Sequence, residues 1–157
     1  MARRGVQPRL AAMTEETRRP TTVSIARTAP LSYAATNSRG TTISVGSGET
    51  DDFTPVELMM VAIGACSAVD VDLITTRRAQ PESFDVDVHA TRVKDATGNR
   101  LDDIEVDFLL RFPDGEDGDR ARNLIQRAID SAHDRMCTVS RTIELGTPVT
   151  MRSVDDA

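Results

Sequence analysis

Aromatic side chains are the scarcest component of this sequence: they make up 3% of its 157 residues, and tryptophan is absent. Such rings build the stacking platforms that hold nucleic-acid bases, so their scarcity argues against a base-binding surface. Lysine is also nearly missing, since Lys94 is the only one, and the formal net charge is −6. A negatively charged chain without clustered basic residues is a poor partner for nucleic acids or anionic membranes. We therefore expect no nucleic acid and no membrane among its partners.

A long uncharged apolar run is lacking as well. The most apolar stretch, residues 55–69, contains Glu57 and stops at Asp70, short of the roughly 18–20 apolar residues of a membrane span. The basic start, MARRGVQPRLAAM, is not followed by the apolar core of a signal peptide. These absences predict a cytoplasmic protein, in which two cysteines would not form a permanent disulfide.

The length of the chain suits one domain with a single core. Residues 1–20 are polar, rich in arginine and aperiodic, and we expect a flexible N-terminal arm there. Met13 offers a second start of translation, so whether residues 1–12 are translated stays open. We expect residues 21–157 to form a single domain. Its first part, residues 21–48, contains short β-branched runs broken by glycine and proline, which predict two or three strands joined by tight turns.

A helix is predicted from Thr54 to about Arg78. Thr54 suits the N-cap, Pro55 suits the first helical position, and Glu57 completes a capping box. The first four turns are apolar on nearly all sides, which is typical of a buried helix. Close approach of another backbone is favoured by a series of small residues: Ala62, Gly64, Ala65, Ser67 and Ala68. We therefore expect a second subunit to help cover this helix.

The rest of the chain predicts a hairpin, a helix and two further strands. Residues 84–93 and 103–112 both alternate apolar with polar side chains, as the strands of an antiparallel hairpin do. Apolar residues at helical spacing over 121–132 predict an amphipathic helix of about four turns. The segment MCTVSRTIELG (136–146) is interpreted as a strand, and VTMRS (149–153) as a last short strand. This order favours an α+β fold with an antiparallel sheet over a parallel α/β fold.

The two cysteines are the candidates for chemistry, although their surroundings alone favour packing. Free cysteine is among the most buried residue types and behaves as a small hydrophobe. A reactive Cys66 would have to ionise, and apolar surroundings raise the pKa of a thiol. A cation from another segment would therefore be needed, and Arg39 in the turn NSRG is the best candidate. A zinc site is not favoured, since there is no CxxC motif and the histidines are only His89 and His133.

Two stretches, TPVELMMVAIGACSAVDV and HDRMCTVSRTIELGTPVT, resemble motifs of the OsmC/Ohr superfamily of thiol-dependent peroxidases. The resemblance covers about residues 30–152 and implies an OsmC-like fold, with antiparallel sheets around a buried central helix in an intertwined homodimer. It places Cys66 at the reactive cysteine and Cys137 at the resolving cysteine, with Ser140 completing the C-x-x-S segment. It also places Arg39 at the arginine of the N-terminal turn. No metal, flavin or haem cofactor is implied.

The activity that the resemblance implies is reduction of an organic hydroperoxide by the Cys66 and Cys137 pair. Cys66 would become a sulfenic acid, Cys137 would condense with it to a disulfide, and an external thiol or dithiol would reduce the pair. The apolar residues Met59, Met60 and Ile63 would form the substrate pocket. Such walls favour an organic hydroperoxide over hydrogen peroxide, because the alkyl part gains by leaving water.

One position departs from the family pattern. The glutamate that pairs with the family's arginine directly follows the proline, whereas here that position is Val56 and the acid is Glu57, about 100° further around the helix. We keep Glu57 as a candidate catalytic residue and partner of Arg39, with Asp70 as the alternative partner. Two other interpretations stay open: a non-catalytic protein of the same fold that binds a small apolar ligand in the dimer pocket, and a dimer whose cysteines are purely structural.

Overall fold

The computed structural model describes residues 17–154, which fall into two compact units divided between Val45 and Gly46. Most of the predicted N-terminal arm, residues 1–20, lies outside the described residues, and positions 17–20 form neither helix nor strand. The arm and the single domain that was expected to follow it both stay predictions.

The first unit contains a three-stranded antiparallel sheet in the order β1-β2-β3. Its strands are β1 (Val23–Ala29), β2 (Ser32–Asn37) and β3 (Thr42–Val45). Strand β2 is central, since Tyr33 pairs with Arg27 of β1 on one side and with Val45 of β3 on the other. The prediction of two or three strands joined by tight turns is confirmed for this segment.

The second unit begins with the predicted helix, α1 (Pro55–Thr75). Its capping box is formed as expected: the Thr54 hydroxyl accepts from the Glu57 amide at 3.3 Å, and the Glu57 carboxylate accepts from the Thr54 amide at 2.7 Å. The helix ends three residues before the predicted Arg78. At its end the hydroxyls of Thr75 and Thr76 donate to carbonyls one turn earlier, at 2.9 and 2.6 Å. Such side-chain bonds compete with continuation of the backbone ladder.

Helix α1 buries only one face within the chain. The buried residues are Ile63, Gly64, Ser67, Val71 and Thr75. Elsewhere on the helix, Val61, Val69 and Leu73 are 47%, 67% and 51% exposed. Length and composition alone would let α1 cross a membrane, but core helices of soluble proteins pass the same test. One chain does not cover α1 on all sides as expected, and its covering by a second subunit stays a prediction.

The predicted hairpin is confirmed and is longer than expected, with β4 (Ser83–Asp95) paired antiparallel to β5 (Gly98–Arg111). The register shifts where His89 and Thr91 of β4 face Glu105 and Asp102 of β5, so β5 has one extra residue there. Asp103 lies in this bulge with a φ of 50°, a left-handed conformation that is uncommon for a residue other than glycine. The bulge bends β5 at the point where it lines the cavities described below.

Three short helices follow the hairpin: α2 (Glu116–Arg122), α3 (Ile125–Ser131) and α4 (Thr138–Glu144). The predicted single helix over 121–132 is thus divided between α2 and α3, where the Leu124 amide bonds to the Ala121 carbonyl at 3.0 Å and tightens the turn. A π-helical turn (Ala132–Met136) joins α3 to α4.

The predicted strand over residues 136–146 is wrong, because most of this segment is helix α4. Its β-branched residues suggest a strand, but local hydrogen bonds close helical turns instead. The Ser140 amide donates to the Cys137 side chain at the N-cap, and the Thr142 hydroxyl donates to the Thr138 carbonyl at 2.7 Å. The predicted last strand, 149–153, is also wrong: these residues are exposed and form neither helix nor strand.

The core of the second unit lies between α1, the hairpin and the short helices. Val71, Ala128 and Ala132 are fully buried at its centre. The rings of Phe84 and Phe108 pack beside them edge to face, with centroids 6.4 Å apart. This core holds the middle of α1 against the segment that leads into α4, and so determines the position of the two cysteines.

Candidate active site

The structure brings together two thiols that are 71 positions apart in the sequence. Cys66 is half-buried in the middle of α1, whereas Cys137 is fully buried at the N-cap of α4. Both are free thiols, and they lie close enough that a hydrogen bond between them shifts the pKa of each. A pair of this kind can form a disulfide by giving two electrons and two protons to an oxidant.

The Cys137 thiol is surrounded by hydrogen-bond donors. Its Sγ lies 3.2 Å from the Ser140 hydroxyl and 3.4 Å from the Ser140 amide. Burial alone would raise the pKa of Cys137, but the hydrogen bonds from Ser140, Cys66 and Ser67 together lower that pKa below its ordinary value. Hydrogen bonds to a thiolate stabilise its charged form, so Cys137 is the better site for the negative charge.

The pKa of the Cys66 thiol is shifted in the opposite direction, above its ordinary value. Burial raises its pKa, and the adjacent Cys137 raises it further, although the backbone amides of Val139 and Thr138 act against both effects. The directions of the two shifts favour Cys137 as the site of the negative charge in this pair, with the Cys66 thiol as a donor to it.

The π-helical turn places Cys137 at the junction between that turn and helix α4. The Cys137 amide donates to the Ala132 carbonyl at 2.9 Å, which closes the wide turn, and the chain then leaves helical geometry at Cys137 with a ψ of 104°. Such turns are rare and occur frequently at functional sites. The sequence contains no recognisable signal for this turn. It also gives no signal for the hydrogen bond by which Ser67, the buried residue that follows Cys66, lowers the pKa of Cys137.

Arg39 lies at the tip of the turn between β2 and β3. The Asn37 side-chain carbonyl accepts from the amides of Arg39 and Thr41 at 2.9 and 3.1 Å, and Gly40 supplies the positive φ of 86° that the turn requires. The turn predicted from the sequence is therefore present. Arg39 belongs to the first unit and the thiols to the second, and its catalytic role stays a prediction.

Glu57 is engaged in the helix cap. Its carboxylate accepts from both the amide and the hydroxyl of Thr54, at 2.7 and 2.8 Å, and these hydrogen bonds lower its pKa. Nine residues separate Glu57 from Cys66, which is about 180° around the helix axis. The described contacts of Glu57 thus account for a capping role, and its predicted catalytic role stays a prediction.

Asp70, the alternative partner of Arg39, lies one turn after Cys66. One of its carboxylate oxygens, Oδ2, is buried without a hydrogen-bond partner among the described residues. A buried, unpaired carboxylate oxygen is unusual in folded proteins and is a natural position for a donor from elsewhere. Whether Arg39 is that donor stays a prediction.

Two adjoining cavities lie along the same side of α1. The first, of about 330 Å³, is lined by Ile63 and Ser140, and the second, of about 780 Å³, by Val56 and Met59. Both share walls formed by three residues, Leu101, Ile104 and Ile143.

Met60 contacts neither of these two cavities. It lines a third cavity, of about 450 Å³, together with Val86 and Val88. The three predicted pocket residues, Met59, Met60 and Ile63, therefore line three different cavities, of which only those of Met59 and Ile63 adjoin.

The second unit matches a known family. Residues 46–152 match the family described as OsmC-like protein. An uncharacterised protein of Mycobacterium tuberculosis is 31% identical over 132 residues, which cover 83% of this chain and 94% of the relative. An uncharacterised protein of Mycobacterium bovis matches to the same extent.

Solved structures share the fold. A hypothetical protein from Aquifex aeolicus has a TM-score of 0.66 at 19% identity, covering 83% of this chain and 91% of its own. An OsmC-like protein from Mycoplasma pneumoniae has a TM-score of 0.64 at 16% identity, covering 82% and 89%. An organic hydroperoxide resistance protein, OsmC, from Legionella pneumophila has a TM-score of 0.57 at 12% identity, covering 82% and 91%.

This mixture of helices and antiparallel sheets is the fold that the solved OsmC-like structure shares. The match over residues 46–152 spans more than half of the chain, and the chain belongs to the OsmC-like family. The predicted family and the α+β fold class are thereby confirmed.

Proposed function

We propose that this protein is a cytoplasmic thiol-dependent peroxidase that reduces organic hydroperoxides through Cys66 and Cys137. The observation that supports this most directly is the contact between two free thiols, one of them reachable from outside and the other fully buried. Membership of the OsmC-like family adds support, because proteins of the same fold include some described as organic hydroperoxide resistance proteins.

Cys66 is the attacking thiol in this mechanism, since it is the more exposed of the two. The shared proton moves to Cys137, and the Cys66 thiolate attacks the terminal oxygen of the hydroperoxide. The O–O bond breaks, an S–O bond forms, and the alkoxide takes the proton from Cys137 and leaves as the alcohol. Cys66 is now a sulfenic acid and Cys137 a thiolate.

Cys137 then resolves the intermediate. Its thiolate attacks the Cys66 sulfur and expels hydroxide, which takes a proton from solvent and leaves as water. The hydrogen bonds from Ser140 keep Cys137 ionised for this step. An external thiol or dithiol returns both cysteines to the reduced form by exchange. Arg39 would stabilise the Cys66 thiolate and polarise the hydroperoxide.

A homodimer is part of the same proposal. One stripe of α1 is both apolar and exposed, and it includes Val61, Val69 and Leu73. Contiguous exposed apolar surface is unfavourable in water and is typical of protein interfaces. A second copy of the chain would cover it.

Mass spectrometry with thiol counting tests the peroxidase directly. One equivalent of cumene hydroperoxide should remove both thiols from the wild-type protein and add an intramolecular disulfide. The Cys137→Ser variant should instead accumulate a sulfenic acid at Cys66 that dimedone traps, whereas Cys66→Ser should keep its remaining thiol. Survival of both wild-type thiols in excess hydroperoxide would refute the proposal.

The alternative function is binding of a small apolar ligand without catalysis. The observation that favours it is the cavity of about 780 Å³ beside Val56 and Met59, which is large enough for a small molecule. Under this alternative the thiols survive the hydroperoxide, while an apolar ligand still binds.

A further inference from the structure

We propose that Ser67 is a positioning residue of the thiol pair, whose hydroxyl holds the Cys137 sulfur as the leaving group when an external thiol attacks Cys66. This rests on the proposed function, because it concerns the disulfide that the peroxidase cycle leaves behind. It gives a role to a buried polar side chain that the steps with hydroperoxide do not use.

Ser67 lies where it can act on the Cys137 sulfur. It directly follows Cys66 on α1 but lies about 100° further around the helix, on the buried face that includes Ile63 and Val71. Only 8% of Ser67 is exposed. Burial of a hydroxyl is unfavourable unless the hydroxyl finds a hydrogen-bond partner, and Cys137 is such a partner of Ser67. Helix α1 thus brings two consecutive side chains to one sulfur.

The same sulfur is also held from a second helix. Ser140 of α4 places its hydroxyl 3.2 Å and its amide 3.4 Å from Sγ of Cys137. Burial alone would raise the pKa of Cys137, but the hydrogen bonds from Ser140, Cys66 and Ser67 lower that pKa below its ordinary value. Two serines that are distant in the sequence therefore stabilise a thiolate at a position that solvent does not reach.

Burial also decides which sulfur of the disulfide is attacked. Cys137 is fully buried, whereas Cys66 is half-buried, so an incoming thiol reaches Cys66. In thiol–disulfide exchange the sulfur that is not attacked leaves, and a sulfur of lower pKa leaves faster. Accessibility and the stability of the thiolate thus favour the same direction of reduction.

The electrons of this reduction balance with two external thiols. The thiolate of the first attacks Sγ of Cys66, a new S–S bond forms, and the electron pair of the broken disulfide stays on Cys137. The second thiolate attacks the external sulfur of this mixed disulfide and releases Cys66, which takes a proton from solvent. Two external thiols have then become a disulfide. Above the pKa of Cys137, the pair holds both electrons and one proton, and the other proton is released to solvent.

Reduction of the preformed disulfide tests the direction of attack. Diamide, a thiol oxidant that is not a peroxide, should form the disulfide in the wild-type protein. Excess 2-mercaptoethanol is added, acid stops the reaction at early times, and N-ethylmaleimide alkylates the free thiols after denaturation. Peptide mass spectrometry should find the 2-mercaptoethanol adduct on Cys66 and the maleimide on Cys137. In Ser67→Ala the adduct should form roughly three- to tenfold more slowly, because a hydrogen bond to the leaving thiolate is lost.

A titration distinguishes positioning of the sulfur from packing. In the Cys66→Ser background Cys137 is the only thiol, and thiolate absorbance near 240 nm follows its ionisation. Addition of Ser67→Ala should raise the pKa of Cys137 by about one pH unit. Thr75→Val is the matched control, because it removes another buried hydroxyl of α1, one that donates to the Val71 carbonyl at 2.9 Å. It should leave the titration and the rate of reduction unchanged, while the urea midpoint reports any loss of packing in either variant.

An adduct on Cys137, or a Ser67→Ala variant whose rate of reduction and titration both match those of its parent, would overturn the proposal. Failure of diamide to form the disulfide would do the same. No hydroperoxide takes part in these measurements, and the peroxidase is judged separately by dimedone trapping of Cys66 in Cys137→Ser. A failure of either proposal is thus recognised independently of the other.

Discussion

The Ser140 hydroxyl lies 3.2 Å from Sγ of Cys137, and the amide of the same residue lies 3.4 Å from that sulfur. Ser140, three positions after Cys137 in the chain, thus supplies two of the hydrogen bonds that lower the pKa of Cys137. The same arrangement caps helix α4, so the chemistry of the thiol and the start of the helix depend on one turn of chain.

Removal of the Ser140 hydroxyl should move the titration of the cysteine pair upward. In Ser140→Ala the amide remains but the hydroxyl is lost, so the pKa of Cys137 should rise toward its ordinary value. At a fixed pH below that value, less thiolate is present and alkylation by iodoacetamide should be slower. Thiolate absorbance near 240 nm, followed against pH, measures the shift directly.

The matched control for this substitution is Thr142→Val. It removes a hydroxyl from the same helix, one that donates to the Thr138 carbonyl and does not contact the thiol. Its titration curve should overlay that of the wild type. If Ser140→Ala also overlays the wild type, the Ser140 hydroxyl does not stabilise the Cys137 thiolate.

Gly64 should resist enlargement, because it marks the closest approach of α1 to the hairpin. A Cβ at this position would lie 2.6 Å from Cγ2 of Val88. Overpacking of this kind costs about 1–3 kcal/mol, while alanine gains about 1 kcal/mol in helix propensity. Gly64→Ala should therefore lower the free energy of unfolding by about 1 kcal/mol, measured from urea titrations.

The Gly64→Ala, Val88→Ala double variant tests whether the clash with Val88 causes the loss of stability in Gly64→Ala. Removal of Cγ2 frees the space that the new methyl group needs, so the cost of Gly64→Ala should shrink in the Val88→Ala background. Equal costs in both backgrounds would contradict the contact between α1 and β4 as the cause.

The sequence could predict those parts of the fold that local patterns determine. Thr54, Pro55 and Glu57 identify the start of α1 because each suits one position of a helix N-terminus. The alternation of apolar and polar residues in β4 and β5 indicates strands that each have one buried face. The β-branched composition from Thr138 to Ile143 predicts a strand, and this prediction is wrong because the cap at Cys137 and the Thr142 hydroxyl stabilise a helix.

The candidate site could be predicted only in part, for a related reason. The contact between Cys66 and Cys137 joins segments 71 residues apart, and only resemblance to a family suggested it. The shape of the two adjoining cavities beside α1 depends on the bulge at Asp103 and on Leu101 facing the same side as Arg92. A register shift of one residue reverses which side chains face a cavity, and sequence alternation does not report where such a shift occurs.

Assembly should depend on the exposed apolar stripe of α1. Size-exclusion chromatography with light scattering should give a mass near twice 17.1 kDa for the wild type. Val69→Asp places a charge where a second copy would pack, so it should shift the protein toward the monomer. Arg127→Asp, a charge change on another helix, should leave the dimer intact. A wild-type protein that is monomeric at micromolar concentration would contradict the proposed dimer.

Glu57 provides the test that separates helix capping from catalysis. Glutamine at this position keeps an oxygen that can accept from Thr54, so Glu57→Gln should retain most of the stability of the wild type, whereas Glu57→Ala should lower the urea midpoint. Glu57 lies about 180° around α1 from Cys66, so a capping role alone predicts that Glu57→Gln changes kcat/KM for cumene hydroperoxide by less than about threefold. The hydroperoxide assay and the urea titration should be run on the same preparations. A large loss of kcat/KM in Glu57→Gln with an unchanged urea midpoint would instead identify Glu57 as a member of the catalytic site, in the role first expected for it beside Arg39.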